Sequence, residues 1–305
     1  MGNYLEISYP GIDIEQRTEY SKMKIDSIYG MEYISLLEKD INIQRSKEFN
    51  DIYKKEGDKI TEVDVKKINE LGTTYLFIPK VEEIYGNNAS LNIDTAYIPY
   101  GMKDFNLLFK ESEIYTIYIP KDITQIHQFA FKGCKNLETV IIDTAIKRIN
   151  NETFAEDIHL KYIELPDTIR CIGVRAFKDC KNLNTIKLPE DLRYIENEAF
   201  SGCEINKLIL PNKLLYINER AFEESKIKTL YIPSSVVHIG KEAFKYSDIE
   251  ILTIGNSQNT KIREDAFNQS KLKKIILNNS TEKIQEEYKE KFPNIEIEKE
   301  YEIER

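Results

Sequence analysis

Residues 162–184 read Tyr-Ile-Glu-Leu-Pro-Asp-Thr-Ile-Arg-Cys-Ile-Gly-Val-Arg-Ala-Phe-Lys-Asp-Cys-Lys-Asn-Leu-Asn, and the same pattern returns along the chain. Its clearest mark is a phenylalanine column. Phe131, Phe154, Phe177, Phe200, Phe222, Phe244 and Phe267 follow one another at intervals of 23, 23, 23, 22, 22 and 23 residues. Ala precedes the Phe at Ala130, Ala176, Ala199, Ala221, Ala243 and Ala266, and Thr153 takes that place once. Self-similarity at such a period is the signature of a stacked repeat architecture.

Each repeat parses into physical parts. A short alternating run such as Ile163-Glu164-Leu165 sends two apolar side chains one way and one residue the other, as a half-buried strand does. Pro120, Pro166, Pro189, Pro211 and Pro233 close the strand, because proline cannot donate to a ladder; Asp143 and Gly255 stand in that place in two repeats. An apolar pair three residues apart follows (Ile146/Ile149, Ile169/Ile172, Leu192/Ile195, Leu214/Ile217), then Ala-Phe. Three places beyond the Phe stands a small residue: Cys134, Cys180, Cys203, Ser225, Ser247 or Ser270, with Asp157 once. A Leu or Ile leads into the next strand. One unit of this length cannot bury its own apolar face, whereas stacked units turn each apolar position into a continuous ladder. Strands about 4.8 Å apart would form one parallel sheet, some 35 Å long for seven or eight repeats, roughly.

The order of apolar strand, Pro, apolar pair, Ala-Phe, Cys and Leu resembles the BspA-type, or Treponema-type, leucine-rich repeat family, over about residues 115–278. The expected fold is an α/β solenoid, a leucine-rich repeat superhelix with a parallel sheet on one face, a non-repeat N-terminal region and a C-terminal cap. Residues 115–280 hold the regular repeats and residues 73–114 degenerate entry repeats, where Leu76-Phe77-Ile78-Pro79 and Ala96-Tyr97-Ile98-Pro99 look like strand starts. Residues 1–72 do not repeat. Tyr4 to Tyr9 alternates like a strand, and Ile34, Leu37, Ile41, Phe49, Ile52 and Tyr53 fall near helical spacing before Gly57. Thr61-Glu62-Val63-Asp64 resembles a capping box opening a short helix. This region reads as a cap shielding the first repeat or as a small functional unit of its own. Residues 281–305 read as the other cap, with Ile284, Tyr288 and Phe292 on one helix face, Pro293 as a stop, and the strand-like Ile295-Glu296-Ile297 after it.

The formal net charge of −9 argues against nucleic acid or an anionic membrane as partner. Residues 282–305 carry nine acids against five bases, hence −4 of that total. No basic-then-apolar leader opens the chain and no window approaches about 18 consecutive apolar residues. A soluble, cytoplasmic protein is the expectation. The four Cys (134, 171, 180, 203) include no Cys-x-x-Cys pair, so neither zinc nor a disulfide framework is expected. Ser replaces Cys in later repeats, which marks Cys134, Cys180 and Cys203 as a buried ladder of small side chains and leaves Cys171 as the accessible one. His127, His159 and His238 fall in different repeats, and no catalytic triad, phosphate-cradling loop or zinc-binding helix occurs. No catalytic residue and no cofactor is expected.

The function implied by the resemblance is protein recognition and adhesion, often on cell surfaces. The residues themselves point to the outward strand positions, which vary while the inward ones hold. One row runs Thr116, Thr139, Tyr162, Thr185, Lys207, Thr229, Ile251, Lys274; the other runs Tyr118, Ile141, Glu164, Lys187, Ile209, Tyr231, Thr253, Ile276. Solenoids use such rows as extended binding surfaces, and Tyr is enriched at binding hot spots. Tyr118, Ile141, Tyr162, Glu164, Lys187, Ile209 and Tyr231 are therefore the expected contact residues for a protein partner, although β-propensity alone also selects Thr, Tyr and Ile on strands. A third row, Lys147, Arg170 and Arg193, forms a basic stripe able to steer an acidic partner. Two other readings stay open: a repeat scaffold carrying an N-terminal effector or enzymatic unit, and a cell-surface carbohydrate binder.

Overall fold

The computed structural model describes residues 109–119, 123–256 and 258–300, together with six short strands between residues 53 and 106. The side chain of Tyr118 and the expected segments at 4–9 and 34–52 lie outside the described residues. Contacts divide the chain into two units, Met1–Ile146 with Thr153–Pro166, and Lys147–Glu152 with Asp167–Arg305.

In the first unit, Tyr75–Phe77, Thr95–Tyr97, Thr116–Ile119, Thr139–Ile142 and Tyr162–Glu164 stack in chain order as a five-stranded parallel sheet. Strands thus occupy both entry starts read from the sequence. A second sheet begins with Tyr53–Glu56 antiparallel to Lys59–Val63 and continues in parallel through Glu83–Tyr85 and Asp104–Asn106. Thr61, Glu62 and Val63 belong to this hairpin strand, so Thr61 is not a helix cap, and the short helix expected after them lies outside the described residues.

The second unit carries two parallel sheets where one was expected. Thr229–Ile232, Ile251–Ile254, Lys274–Asn278 and Glu296–Glu300 form one. The other is a ladder of two-residue strands, Arg148–Ile149, Cys171–Ile172, Tyr194–Ile195, Tyr216–Ile217, His238–Ile239 and Lys261–Ile262. These are the distal members of the apolar pairs. Ile149, Ile172, Ile195, Ile217, Ile239 and Ile262 point inward and are buried, and the residue before each points out. The apolar pair is therefore a corner followed by a second strand.

The Ala-Phe segments form turns rather than helices, and the only α-helix among the described residues is the terminal one. Two residues of these turns hold a positive φ, two places before and two places after the Phe: Arg175 and Asp179 around Phe177, Glu198 and Gly202 around Phe200, Arg220 and Glu224 around Phe222, Glu242 and Tyr246 around Phe244; around Phe267 only Gln269 does. The left-handed pair folds the chain tightly enough for each Phe to turn inward while its amide reaches the next repeat. Phe177 N–H donates to Ala199 O, Phe200 N–H to Ala221 O, Phe222 N–H to Ala243 O and Phe244 N–H to Ala266 O, each at 2.8 Å. The rings stack nearly parallel, with centroids 5.2 Å apart for Phe177–Phe200 and 5.3 Å for Phe244–Phe267. The first unit has its own stack, Phe109–Phe131–Phe154, so the column begins one repeat earlier than the Ala-Phe pattern suggested. Leu108 holds the Ala place there, which hid Phe109 from the pattern.

The expected C-terminal cap forms as read. Thr281 accepts from the Ile284 amide at 3.3 Å to open the helix Glu282–Lys291, and the Phe292 amide donates to Tyr288 O at 2.9 Å to close it. Phe292 meets Phe267 edge-on, at 6.5 Å and 70°, ending the stack with a ring turned across it.

Two predictions follow from this core. Phe200→Ala should cost roughly 3–5 kcal/mol in denaturant unfolding, as truncation of a buried aromatic does; a loss below about 1 kcal/mol, typical of surface positions, would contradict the stack. The left-handed turns make the second. Glu224 is exposed at φ 66°, so Glu224→Gly should stabilise by about 1 kcal/mol, the strain a side chain bears there. Gly202→Ala, at φ 76° with the Asp179 carboxylate against the space a Cβ would fill, should destabilise.

Candidate functional site

The expected contact row behaves differently in the two units. In the first, Thr116 is 2 % exposed, Thr139 0 % and Ile141 3 %. Thr139–Ile142 is thus buried on both faces, and the hydroxyls of Thr116 and Thr139 are buried without a hydrogen-bond partner. Ile141 accordingly sits on no open surface, contrary to the sequence reading. The physical reason is visible in the run Thr-Val-Ile-Ile, which is nearly continuous rather than alternating and is the mark of a strand covered on both sides. Tyr118 pairs with Ile141 in backbone register. Tyr162 and Glu164 are half-buried neighbours, the phenol 3.4 Å from Glu164 Oε2.

In the second unit the row is open. Thr229–Ile232 alternates exposed and buried, as a one-sided strand should. Lys187 and Lys207 are exposed, Ile209 is 86 % exposed, Tyr231 46 % and Ile251 37 %. Ile251 pairs with Thr229, and Tyr231 with Thr253, so Tyr231 and Ile251 are diagonal neighbours; Ile209 stands one repeat length before Tyr231. The phenol of Tyr231 lies across the neighbouring strand to Gly255, where an added Cβ would come within 2.5 Å of its hydroxyl. Gly255, which replaces the strand-closing Pro, also makes room for that ring.

The outward column of the two-residue strands runs Arg148, Cys171, Tyr194, Tyr216, His238 and Lys261. The structure makes these positions one ladder of graded burial. Cys171 is only 8 % exposed, not the accessible thiol expected, because Arg148 Nη1 lies 2.8 Å from its sulfur and Glu196 packs on its other side at 3.7 Å. Burial, and secondarily Glu196, push its pKa up to about 11 against the pull of Arg148. Tyr194 and Tyr216 stack at 5.4 Å and 10°, and His238 continues the column at 6.2 Å. Burial first, then Arg263 and Lys261, lower the His238 pKa.

On the turn side, charge alternates two places before the Phe in five successive repeats: Glu152, Arg175, Glu198, Arg220, Glu242. Arg175 reaches Glu152 at 4.0 Å and Glu198 at 2.8 Å, and Arg220 reaches Glu242 at 2.5 Å. The Arg175 hydrogen bond, with Lys178 beside it, draws the Glu198 carboxyl down to about 2. In the small-residue ladder, Cys134 donates to Phe109 O at 3.0 Å and Cys203 to Phe177 O at 2.9 Å, whereas the Ser225 and Ser247 hydroxyls find no partner in the same place. The longer C–S bond lets the thiol reach a carbonyl that the hydroxyl misses. All four Cys are free and buried. Among the described residues no group of three or more His, Cys, Asp or Glu is placed to hold a metal ion, and no helix is long and apolar enough to cross a membrane.

Parallel strands stacked once per 20–23 residues, an inward leucine and isoleucine ladder and a stacked phenylalanine turn define a leucine-rich repeat solenoid. The BspA type leucine-rich repeat region matches in six copies over residues 105–215 and 171–296, and the chain belongs to that family. Among solved structures it is similar to a leucine-rich repeat protein from Bacteroides ovatus, at 22 % identity over 81 % of this chain and 74 % of the other, TM-score 0.38. A leucine-rich cell surface protein from Faecalibacterium prausnitzii matches at 20 % identity over 73 % of this chain and 62 % of the other, TM-score 0.39. The pneumococcal vaccine antigen PcpA matches at 18 % over 76 % and 79 %, TM-score 0.35. A search of curated proteins finds no match.

One buried acid yields a pH test. Asp157 fills the Cys slot with 0 % exposure; its Oδ1 accepts from the Cys134 amide at 2.7 Å and its Oδ2 has no partner. Burial raises its pKa well above the ordinary carboxylate value, against the pull of the Cys134 and Gly133 amides. The folded state therefore keeps a proton that the unfolded chain loses near pH 4, so this group's stability contribution is complete below that pH and declines as pH rises. Glu198 has the opposite sign, its contribution being lost as pH falls toward 2. Asp157→Asn should be more stable than the parent at pH 8, and the difference should shrink as pH approaches 4. A difference that does not change with pH in parallel unfolding titrations would refute the buried-acid assignment.

Proposed function

We propose that the chain is a non-catalytic binding module that holds a protein partner against the open strand face of its second unit. The observation that carries this reading is the exposure of Ile209, Tyr231 and Ile251 on that face, in a unit whose repeat positions are otherwise buried apolar ladders. Scattered exposed apolar residues are ordinary, but neighbouring ones rimmed by charge mark interaction surfaces. Lys187 and Lys207 supply the rim. Tyr231 is the anchor: it is large, has few rotatable bonds, and is laid flat toward Gly255, so little freedom remains to be lost on binding. Family membership supports the same class of role, since stacked repeats present extended surfaces.

The double variant Ile209→Asp, Tyr231→Ser should unfold within about 0.5 kcal/mol of the parent, as surface changes do, and should lose the partners that the parent retains from native lysate. A photo-crosslinking residue at position 231 should give adducts that the same residue at Asn268, on the turn side, does not. Undiminished capture by the double variant would overturn the assignment of this face.

A further inference from the structure

We propose that the outward face of the two-residue strand ladder is a second binding surface, specific for a short acidic polypeptide segment. The face lies within the second unit and is separate from the surface around Tyr231. Its charge is the first observation. Lys147, Arg148, Arg170, Arg193, Lys261 and Arg263 stand on or beside these strands, against the carboxylate of Glu196 and that of Asp265, which Arg263 meets at 3.7 Å, in a chain whose formal net charge is −9. The backbone holds the stripe in register, the Arg170 amide donating to Lys147 O and the Arg193 amide to Arg170 O, both at 2.9 Å. Asp191, at the corner next to Arg170 and Arg193, is already paired with Lys213 at 2.5 Å. Among the described residues no ion pair closes on Lys147, Arg170 or Arg193.

The aromatic column beside the stripe narrows the ligand class. Tyr194 and Tyr216 stack face to face, and His238 stands tilted against Tyr216 at 46°. What the column presents outward is therefore ring edge and hydroxyl, and Tyr194 is 39 % exposed. Ring edges carry the positive end of the aromatic quadrupole and suit carboxylates, as the flanking guanidinium groups do. Single-stranded nucleic acid binds by stacking bases on free ring faces, and the mutual stacking of Tyr194 and Tyr216 takes up one face of each ring. A long polyanion would also meet the net negative charge of the whole protein, whereas a short acidic segment spans only the basic face.

The test uses the full chain and three fluorescent probes in anisotropy titrations: a deca-glutamate peptide, a deca-glutamine peptide of the same length, and a thymidine oligonucleotide. The glutamate peptide should bind at low salt and weaken as salt rises, and the glutamine peptide should not bind. Arg170→Glu with Arg193→Glu should weaken it by about tenfold or more, the scale of several reversed surface charge contacts. The milder Arg170→Gln with Arg193→Gln should weaken it less, with an unchanged melting curve separating loss of binding from loss of fold. The Ile209→Asp, Tyr231→Ser variant should bind the probe as the parent does, so failure here and failure of the other surface are read independently. Absence of glutamate binding at low salt, equal binding by the Arg170→Glu, Arg193→Glu variant, or tighter binding of the oligonucleotide than of the peptide would overturn the proposal.

Discussion

The phenylalanine stack sets the terms for everything else in this molecule. A benzene ring set beside its copy one repeat away needs the backbones to advance by about the strand spacing, and ring centroids at 5.2–5.6 Å are that advance with a small sideways offset. The turn carrying each ring must be tight, so it takes two left-handed residues, and its amides must find acceptors in the following repeat. The strands opposite bond in the other sense, the Gly173 amide reaching back to Ile149 O and the Gly240 amide back to Ile217 O. Each repeat is thus gripped from both neighbours by bonds running in opposite directions on opposite sides. Local collapse within one repeat cannot satisfy them, which is why cooperativity in such arrays resides in the interfaces.

This arrangement explains which features could be read from residues alone. The Phe column, the strand-closing Pro and the small slot are steric necessities repeated often enough to be seen. The terminal cap was legible because Ile284, Tyr288 and Phe292 share one helix face and Pro293 ends it, whereas the Thr281 cap came only with the structure. The second sheet was not, because two-residue strands leave no alternation to detect. The left-handed positions were hidden as well: Gly133 and Gly202 marked the site two places beyond the Phe, but Glu, Asp, Tyr and Gln fill it elsewhere. In those repeats stacking and backbone bonding outweigh the local preference.

The candidate surfaces divide in the same way. The open face around Ile209 and Tyr231 was legible because Thr229–Ile232 alternates cleanly, while Thr139–Ile142 looked equivalent by alignment to the repeat and is buried on both sides. Alignment to a repeat assigns a residue to a column; it does not say whether that column is covered. The ladder through Cys171, Tyr194, Tyr216 and His238 emerges only from the fold, which sets Tyr194 on Tyr216 and His238 beside Tyr216.

The alternating column Glu152, Arg175, Glu198, Arg220, Glu242 bears on how such an array can change in length. Repeat genes gain and lose copies by misaligned recombination, and most ladders in this protein would accept the loss of any copy, since Phe would still meet Phe. This column would not. Excising the repeat that bears Arg220 would set Glu198 against Glu242, like charges directly opposite, whereas excising two adjacent repeats would restore an acid beside a base. Over these five repeats the ladder thus distinguishes the loss of an inner copy from the loss of an inner pair, a distinction that the phenylalanine column does not make.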